Sequence, residues 1–261
     1  MAAIIIIARG YTDVTESQNE HCNAFVNVNT QGIIEDTMQN NPYAAPQTAS
    51  IQSSVEVNKV LRNTYMLLSM TLAFSAVTAS IAMAMNMGHG MGLVFTLISF
   101  GLLFVVHKTA DSSKGIIAIF AFTGLLGASI GPLLNHYLSL PGGSMIVMQS
   151  LGMTAVAFLS LSAYAISSKK DFSYMGGFLM VGLIVAIVAS VVNIFLGIPV
   201  LSLAISGAVV MIMCGFILFD TSRIINGGET NYIRATVSLY LNIYNLFISL
   251  LHITGALSND D

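Results

Sequence analysis

Seven long apolar runs follow one another from Tyr65 onward, and they constrain the fold more than any other feature of the sequence. The runs cover about residues 64–86, 91–107, 115–138, 145–167, 174–196, 199–219 and 235–256. Most of them reach the ~20 residues that are needed to cross ~30 Å of hydrocarbon. Each run must be helical, because lipid offers no partner for open backbone groups. The sequence therefore predicts an all-α polytopic membrane protein with seven transmembrane helices.

The composition supports a membrane protein and excludes a soluble globular one. Only 8% of the residues are charged and 55% are hydrophobic, whereas soluble domains carry about 25% charged residues. The nine Lys and Arg residues are scattered along the chain, so nucleic-acid binding is not supported. The two cysteines, Cys22 and Cys214, show no metal-binding spacing, and neither a metal nor another cofactor is predicted.

The basic residues predict how the chain is oriented in the membrane. From residue 59 onward, the basic residues lie either just before the first run or in every second connection between runs: Lys59, Arg62, Lys108, Lys114, Lys169, Lys170, Arg223 and Arg234. The connections near Gly88, Pro141 and Gly197 contain no Lys or Arg, and neither does the C-terminus. The positive-inside rule therefore predicts a cytoplasmic N-terminus and a C-terminus on the outer side. Six or eight spans would break this alternation.

The N-terminal part of the chain differs from the rest. Residues 1–58 hold six of the twelve acidic residues and more than half of the Asn and Gln. We predict a cytoplasmic, mostly disordered tail over 1–58 and a membrane domain over 59–261. Met38 suggests a further hypothesis, in which residues 1–37 are a start-site extension that the cell does not translate. A peptide from residues 10–30 in native protein would refute it.

A small-residue face in the third run predicts close helix packing. Gly124, Gly127 and Gly131 lie on it, and Gly127 and Gly131 match the GxxxG pattern of membrane helix interfaces. Small residues at this spacing are common, so we expect packing within the chain rather than a dimer contact.

The connection between the last two runs contains the candidate functional residues. Arg223, Glu229 and Arg234 lie in it, and Asp220 ends the preceding apolar run. An intramembrane charge costs about 2.5–3.5 kcal/mol at a helix centre and less toward an end, which makes Asp220 a candidate site residue. It could pair with Arg223 or Arg234 as a latch between spans six and seven. The alternative is a solvated carboxylate in the headgroup zone.

The sequence does not predict an enzyme. It contains no Ser-His-Asp set, no His-Glu-x-x-His motif and no phosphate-binding Gly-Lys-Ser/Thr motif. Asp220 is the one acid predicted to lie within the bilayer, and a single carboxylate cannot provide a paired acid and base.

Six short motifs are distributed over nearly the whole membrane part. They are residues 60–65, 72–76, 120–124, 219–221, 227–236 and 238–247, the last of which reads Ser-Leu-Tyr-Leu-Asn-Ile-Tyr-Asn-Leu-Phe. Over about residues 55–257 the chain resembles the Bax-inhibitor (TMBIM) family of seven-span proteins, and its bacterial members most closely. The resemblance implies a Bax-inhibitor-like helix bundle in the bacterial inner membrane, with the C-terminus in the periplasm.

The resemblance implies two functions. The bacterial members that the chain resembles are binding partners and slow substrates of FtsH, the ATP-dependent membrane protease, and so restrain it. Other members are pH-sensitive calcium leak channels, with a pair of acids in spans six and seven as the proton sensor. Asp220 matches the first acid, but the second position is Asn242.

The departure at Asn242 favours modulation of FtsH, with a passive calcium or cation leak gated near Asp220 as the alternative. Two neighbouring carboxylates share one proton, and an Asp–Asn pair lacks the repulsion that causes this. We therefore expect a closed seal, latched by Arg223 or Arg234, rather than a titrating calcium gate.

Overall fold

The computed structural model describes residues 46–258, with side chains from Glu56 onward. This part of the chain forms seven α-helices: α1 Pro46–Ala84, α2 His89–Thr109, α3 Lys114–Leu138, α4 Gly143–Ser168, α5 Gly176–Leu196, α6 Pro199–Ile225 and α7 Tyr232–Ser258. A short 3-10 turn, Ser173–Met175, precedes α5. All seven helices contain a segment long and apolar enough to cross a membrane. The predicted all-α seven-helix fold is confirmed.

Two helices extend more than five residues beyond one end of the predicted spans. Helix α1 begins at Pro46, so residues 46–58, which were predicted to belong to the tail, are helical. Proline suits a first helical turn, and neither glycine nor a second proline interrupts the helix after it. Helix α6 ends at Ile225 rather than near residue 219. The rest of the predicted tail, and with it the start-site hypothesis, lies outside the described residues.

Helix α7 forms the centre of the bundle. It packs against α1, α3, α4 and α6, whereas α2 packs on α3 and α5 packs on α6. Over the most apolar stretch of α7, 67% of the residues are buried. Over the corresponding stretch of Ser173–Leu196, which includes α5, 17% are buried. Large apolar side chains such as Phe178 and Phe195 are exposed on the outside of α5. In a membrane protein this outer surface contacts the lipid bilayer.

The glycine face of α3 packs against α1. A Cβ atom on Gly124 would meet the ring of Phe74, and one on Gly127 would meet the backbone carbonyl of Ser75. A Cβ atom on Gly131 would contact Ala82. The expectation that these small residues serve packing within the chain is confirmed.

The connections that carry basic residues meet at one end of the bundle. Arg234 at the start of α7 pairs with Asp111 in the α2–α3 connection at 2.7 Å. Ser222 on α6 donates a hydrogen bond to the backbone carbonyl of Lys170 in the α4–α5 connection at 3.0 Å. The Asp220 end of the bundle is thus the end that the charge pattern predicts to face the cytoplasm.

Candidate functional site

A buried hydrogen bond joins the last two helices near this end. The Nδ2 atom of Asn242 on α7 donates to Oδ2 of Asp220 on α6 at 2.6 Å. Asp220 is 8% exposed and Asn242 is 1% exposed. A carboxylate is an acceptor and an amide NH2 group is a donor, so the two side chains satisfy each other in a place that water reaches poorly.

The hydrogen bond to Asn242 differs from both environments that the sequence predicted for Asp220. The alternative of a carboxylate solvated in the headgroup zone is wrong, because the side chain is buried against α7. The predicted latch is not formed as a direct ion pair: the carboxylate within 4.0 Å of Arg223 is that of Glu229, and the one that Arg234 contacts is that of Asp111. The position that the resemblance singled out, Asn242, is the direct hydrogen-bond partner of Asp220.

Arg223 is held within the α6–α7 connection by the way α6 ends. Gly227 has φ +75°, a backbone conformation that glycine adopts readily. The amide of Gly228 then donates to the Arg223 carbonyl at 2.8 Å, which completes a Schellman-type helix end. The Arg223 side chain donates to the Gly228 carbonyl at 3.3 Å and lies 4.0 Å from the Glu229 carboxylate. Arg223 therefore holds the α6–α7 connection together through its contacts with Gly228 and Glu229.

Arg234 faces the α2–α3 connection. Its guanidinium contacts one oxygen of Asp111, and the Nδ2 atom of Asn231 donates to the other oxygen at 2.7 Å. The Oδ1 atom of Asn231 accepts from the amide of Ile233 at 2.8 Å and from that of Arg234 at 3.2 Å, so Asn231 caps the start of α7. Because Asp111 and Arg234 are partly exposed, we expect their ion pair to contribute less than about 1 kcal/mol.

Ser222 is a site residue that the sequence analysis missed. It is fully buried, donates to the Lys170 carbonyl and accepts from the amide of Phe172 at 3.0 Å. Asn226 also donates to it, at 3.1 Å. Ser222 thereby fixes the α4–α5 connection beside the Asp220–Asn242 pair. Its place two residues after Asp220 was the one signal in the sequence, and the span predicted to end near residue 219 left Ser222 outside the helix.

The α4–α5 connection also contains an exposed carboxylate. The side-chain and backbone hydrogen bonds of Ser173 hold the pKa of Asp171 below its usual range. Asp171 therefore keeps its negative charge at neutral pH. Its Oδ1 atom accepts a hydrogen bond from the backbone amide of Ser173 at 2.8 Å. This contact fixes the start of the 3-10 turn that leads into α5.

The Asp220–Asn242 pair is too small a ligand set for a calcium ion. Calcium takes six to eight oxygen ligands, whereas the pair offers one carboxylate and one amide, whose NH2 group faces the carboxylate. In the described part of the chain, no group of three or more His, Cys, Asp or Glu residues could hold a metal ion. The pair can lock two helices together.

The fold and this site define a seven-helix polytopic membrane protein whose last two helices are joined by a buried Asp–Asn hydrogen bond. The sequence model of the family described as "Inhibitor of apoptosis-promoting Bax1" matches residues 57–259. The chain belongs to this family, the Bax-inhibitor family, as the motifs predicted.

Bacterial relatives are similar over most of their length. The chain is 54% identical to the "Modulator of FtsH protease YccA" of Escherichia coli K12, over 80% of this chain and 94% of the relative. The same identity and coverage hold for the "Inner membrane protein YccA" of Escherichia coli O6:H1. A relative from Vibrio cholerae, named as an uncharacterized membrane protein, is 52% identical over 82% of this chain and 97% of its own. The predicted resemblance to the bacterial members is confirmed.

Proposed function

We propose that this protein is an inner-membrane binding partner and slow substrate of FtsH, and thereby an inhibitor of that protease. The observation that carries the proposal is the 54% identity, over 94% of its length, to a relative named as a modulator of FtsH. The names of these relatives describe a modulator or a membrane protein and no enzyme. The chain would then act by binding rather than by catalysis.

A physical mechanism follows from slow extraction. An ATP-driven protease needs a flexible handle in the cytoplasm, and the predicted tail, residues 38–58 or all of 1–58, would provide one. Because α1 begins at Pro46, residues 1–45 are the part of that tail that precedes the helix. Seven apolar helices, with α7 buried among the others, must then leave the lipid. A chain that is engaged readily but extracted slowly occupies the protease and competes with other substrates.

Co-reconstitution with the protease tests the proposal. FtsH and a membrane-anchored reporter substrate are placed in liposomes with and without this protein. We expect the protein to co-purify with FtsH and to slow degradation of the reporter, while it is degraded more slowly than the reporter itself. Unchanged reporter degradation with no co-purification would contradict the proposal.

Removal of residues 1–45 tests the tail as the handle. We expect the concentration needed for half-inhibition to rise about tenfold, equivalent to ~1.4 kcal/mol of binding free energy, because the engagement step is lost. The control is thermal melting in detergent, which should be unchanged because all seven helices, from Pro46 onward, are kept. A deleted variant that inhibits as well as the full chain would disprove this role.

The orientation is part of the proposal. The N-terminus would lie in the cytoplasm, where the tail can reach the protease, and the C-terminus in the periplasm. Two observations support it: the alternation of basic connections along the chain, and the contacts that bring those connections to one end of the bundle. The positive-inside rule assigns that end to the cytoplasm.

A passive calcium or cation leak gated near Asp220 is the second candidate function. It is favoured by one observation, a carboxylate buried between α6 and α7. We expect purified natural protein in liposomes to give no calcium flux above empty liposomes at any pH, because Asn242 satisfies Asp220 without a titrating partner.

The Asn242→Asp variant is the matched comparison for the flux assay. It restores the acid pair of the pH-sensitive family members, and two such carboxylates share a proton, so any pH-dependent flux should appear only in this variant. A flux from the natural protein that Asp220→Asn abolishes would instead establish the leak.

A further inference from the structure

A cavity of about 300 Å³ lies at the end of the bundle opposite the Asp220–Asn242 pair. It is lined by the C-terminal ends of α3, α5 and α7 and by the N-terminal half of α6. Polar side chains from all four helices line it, among them Tyr137, Asn193, Ser202, Ser206, Ser249 and His252. None of them takes part in the contacts of the Asp220–Asn242 end.

Hydrogen bonds fix part of the cavity wall. The Ser206 hydroxyl lies 2.9 Å from Nδ1 of His252 and joins α6 to α7. The Oδ1 atom of Asn193 accepts the amide of Ile198 at 3.2 Å and closes the turn between α5 and α6. Tyr137 and Ser249 are buried. Part of the polar lining therefore belongs to a formed wall between helices.

The polar groups of the wall, which lie beside apolar side chains such as those of Leu133, Ile205 and Ile248, can hold water. Hydroxyl, amide and imidazole groups that face hydrocarbon lose their hydrogen bonds at a cost of several kcal/mol. A volume of about 300 Å³ holds about ten water molecules at ~30 Å³ each, and a buried water needs two to four polar partners. The lining provides such partners from each of its four helices.

The lining is also electrically neutral. The described residues around the cavity include no Asp, Glu, Lys or Arg. A cavity lined by one sign of charge would raise the local concentration of oppositely charged solutes by about tenfold or more. This one gives neither cations nor anions such an advantage.

The cavity does not continue to the other end of the bundle. Val209 forms part of its wall and is buried. One and two helical turns further along α6, Met213 and Phe216 belong to the apolar core, and they separate the cavity from Asp220. The cavity thus has no path along α6 to the Asp220–Asn242 pair.

We propose that this cavity is a water-filled chamber that binds small polar molecules without selecting by charge and opens at the C-terminal end of the bundle. That end is the periplasmic side, and this part of the inference rests on the orientation proposed above. Small solutes of either charge enter from that end and go no deeper than Val209.

Cysteine accessibility tests the chamber. Ser202→Cys and Ser249→Cys are made separately in a chain that carries Cys22→Ser and Cys214→Ser. Each variant is treated with membrane-impermeant sulfonatoethyl or trimethylammonioethyl methanethiosulfonate, in spheroplasts and in inside-out vesicles. Ser139→Cys, in the exposed α3–α4 turn, is the reference for the same end. Ser112→Cys, in the exposed α2–α3 connection, is the reference for the other end.

We expect both chamber variants to react from the side on which Ser139→Cys reacts. After division by the rates for Ser139→Cys, the cationic and anionic reagents should agree within about threefold, since a charged path would separate them by tenfold or more. Ser150→Cys, fully buried on α4 and outside the chamber, should not react. Thermal melting confirms that each variant is folded.

Three other outcomes decide against the proposal or part of it. Folded chamber variants that react from neither side show that lipid or side chains fill the cavity and overturn the chamber. Reaction from the side of Ser112→Cys alone overturns its opening. Reaction of Ser139→Cys and of the chamber variants only in inside-out vesicles overturns the proposed orientation and leaves the chamber in place.

Discussion

Replacement of Asn242 by leucine should lower the stability of the bundle by about 3 kcal/mol. The leucine removes the donor that lies 2.6 Å from Oδ2 of Asp220 and leaves a carboxylate, 8% exposed, without that partner. A hydrogen bond to a charged group contributes about 1.5–3 kcal/mol, and a buried charged acceptor that loses its donor costs toward the upper end of that range or more. The measurement is unfolding of the purified protein in mixed detergent micelles.

A double-mutant cycle separates the hydrogen bond from the change in packing. Asp220→Leu combined with Asn242→Leu should recover most of the loss, because two apolar side chains leave no polar group unpaired. Additive effects of the two single changes would contradict a direct coupling between Asp220 and Asn242.

Asn245→Leu is the matched control for this cycle. Asn245 is also buried on α7, three residues further along, but its Nδ2 atom donates to the Leu241 carbonyl of its own helix at 2.7 Å. No charge loses its partner in this variant, so the loss should be about 1 kcal/mol, as for a neutral hydrogen bond. An equal loss for Asn242→Leu and Asn245→Leu would show that Asp220 is not the reason for the larger effect.

The helices could be predicted from the sequence because lipid leaves a chain few alternatives. An apolar run of sufficient length must form a helix there, and the charge alternation fixed the number of runs at seven. The end of α6 could not be placed from hydropathy alone. Its last turn is polar at Ser222 and Arg223, and packing against the α4–α5 connection buries Ser222.

The partners of the arginines could not be predicted, for two physical reasons. Spacing along a helix brings Asp220 and Arg223 to neighbouring positions, but the Schellman-type end of α6 positions the Gly228 carbonyl and Glu229 to receive the guanidinium. Arg234 pairs with Asp111, which lies 123 residues earlier in the chain. Such a contact depends on how α2 and α3 pack beside α7, and a single sequence carries no signal for it.

The polar face of α7 depends on how closely α1 approaches α3. The Tyr240 hydroxyl lies 2.7 Å from the Ser75 hydroxyl on α1 and donates to the Thr123 carbonyl on α3 at 3.2 Å. Four residues further along α7, the Tyr244 hydroxyl lies 3.1 Å from the Ser129 hydroxyl. Tyr240 therefore needs α1 and α3 at a fixed separation, and the glycine face of α3 sets it.

Replacement of Gly127 by valine should be as damaging as the loss of Asn242. Its Cβ atom would overlap the Ser75 carbonyl oxygen and the Ser75 and Thr78 hydroxyls. A backbone atom cannot rotate away, so α1 must move from α3, and overpacking of this kind costs about 3 kcal/mol at the upper end of its usual range. The same movement separates Ser75 from Tyr240, so the loss should appear as a lower melting temperature in detergent together with slower assembly in membranes.

The same substitution at Gly152 separates this clash from the general effect of a branched residue in a helix. Gly152 is exposed on α4, and a Cβ atom there would meet nothing within 4 Å. Gly152→Val should therefore change stability by less than about 0.5 kcal/mol, the usual range for a surface substitution. If Gly127→Val and Gly152→Val have the same melting temperature, the close approach of α1 to α3 does not stabilise the bundle. If Gly127→Val alone melts early and Gly127→Ala lies between it and the natural protein, the size of the side chain at this contact sets the separation on which Tyr240 depends.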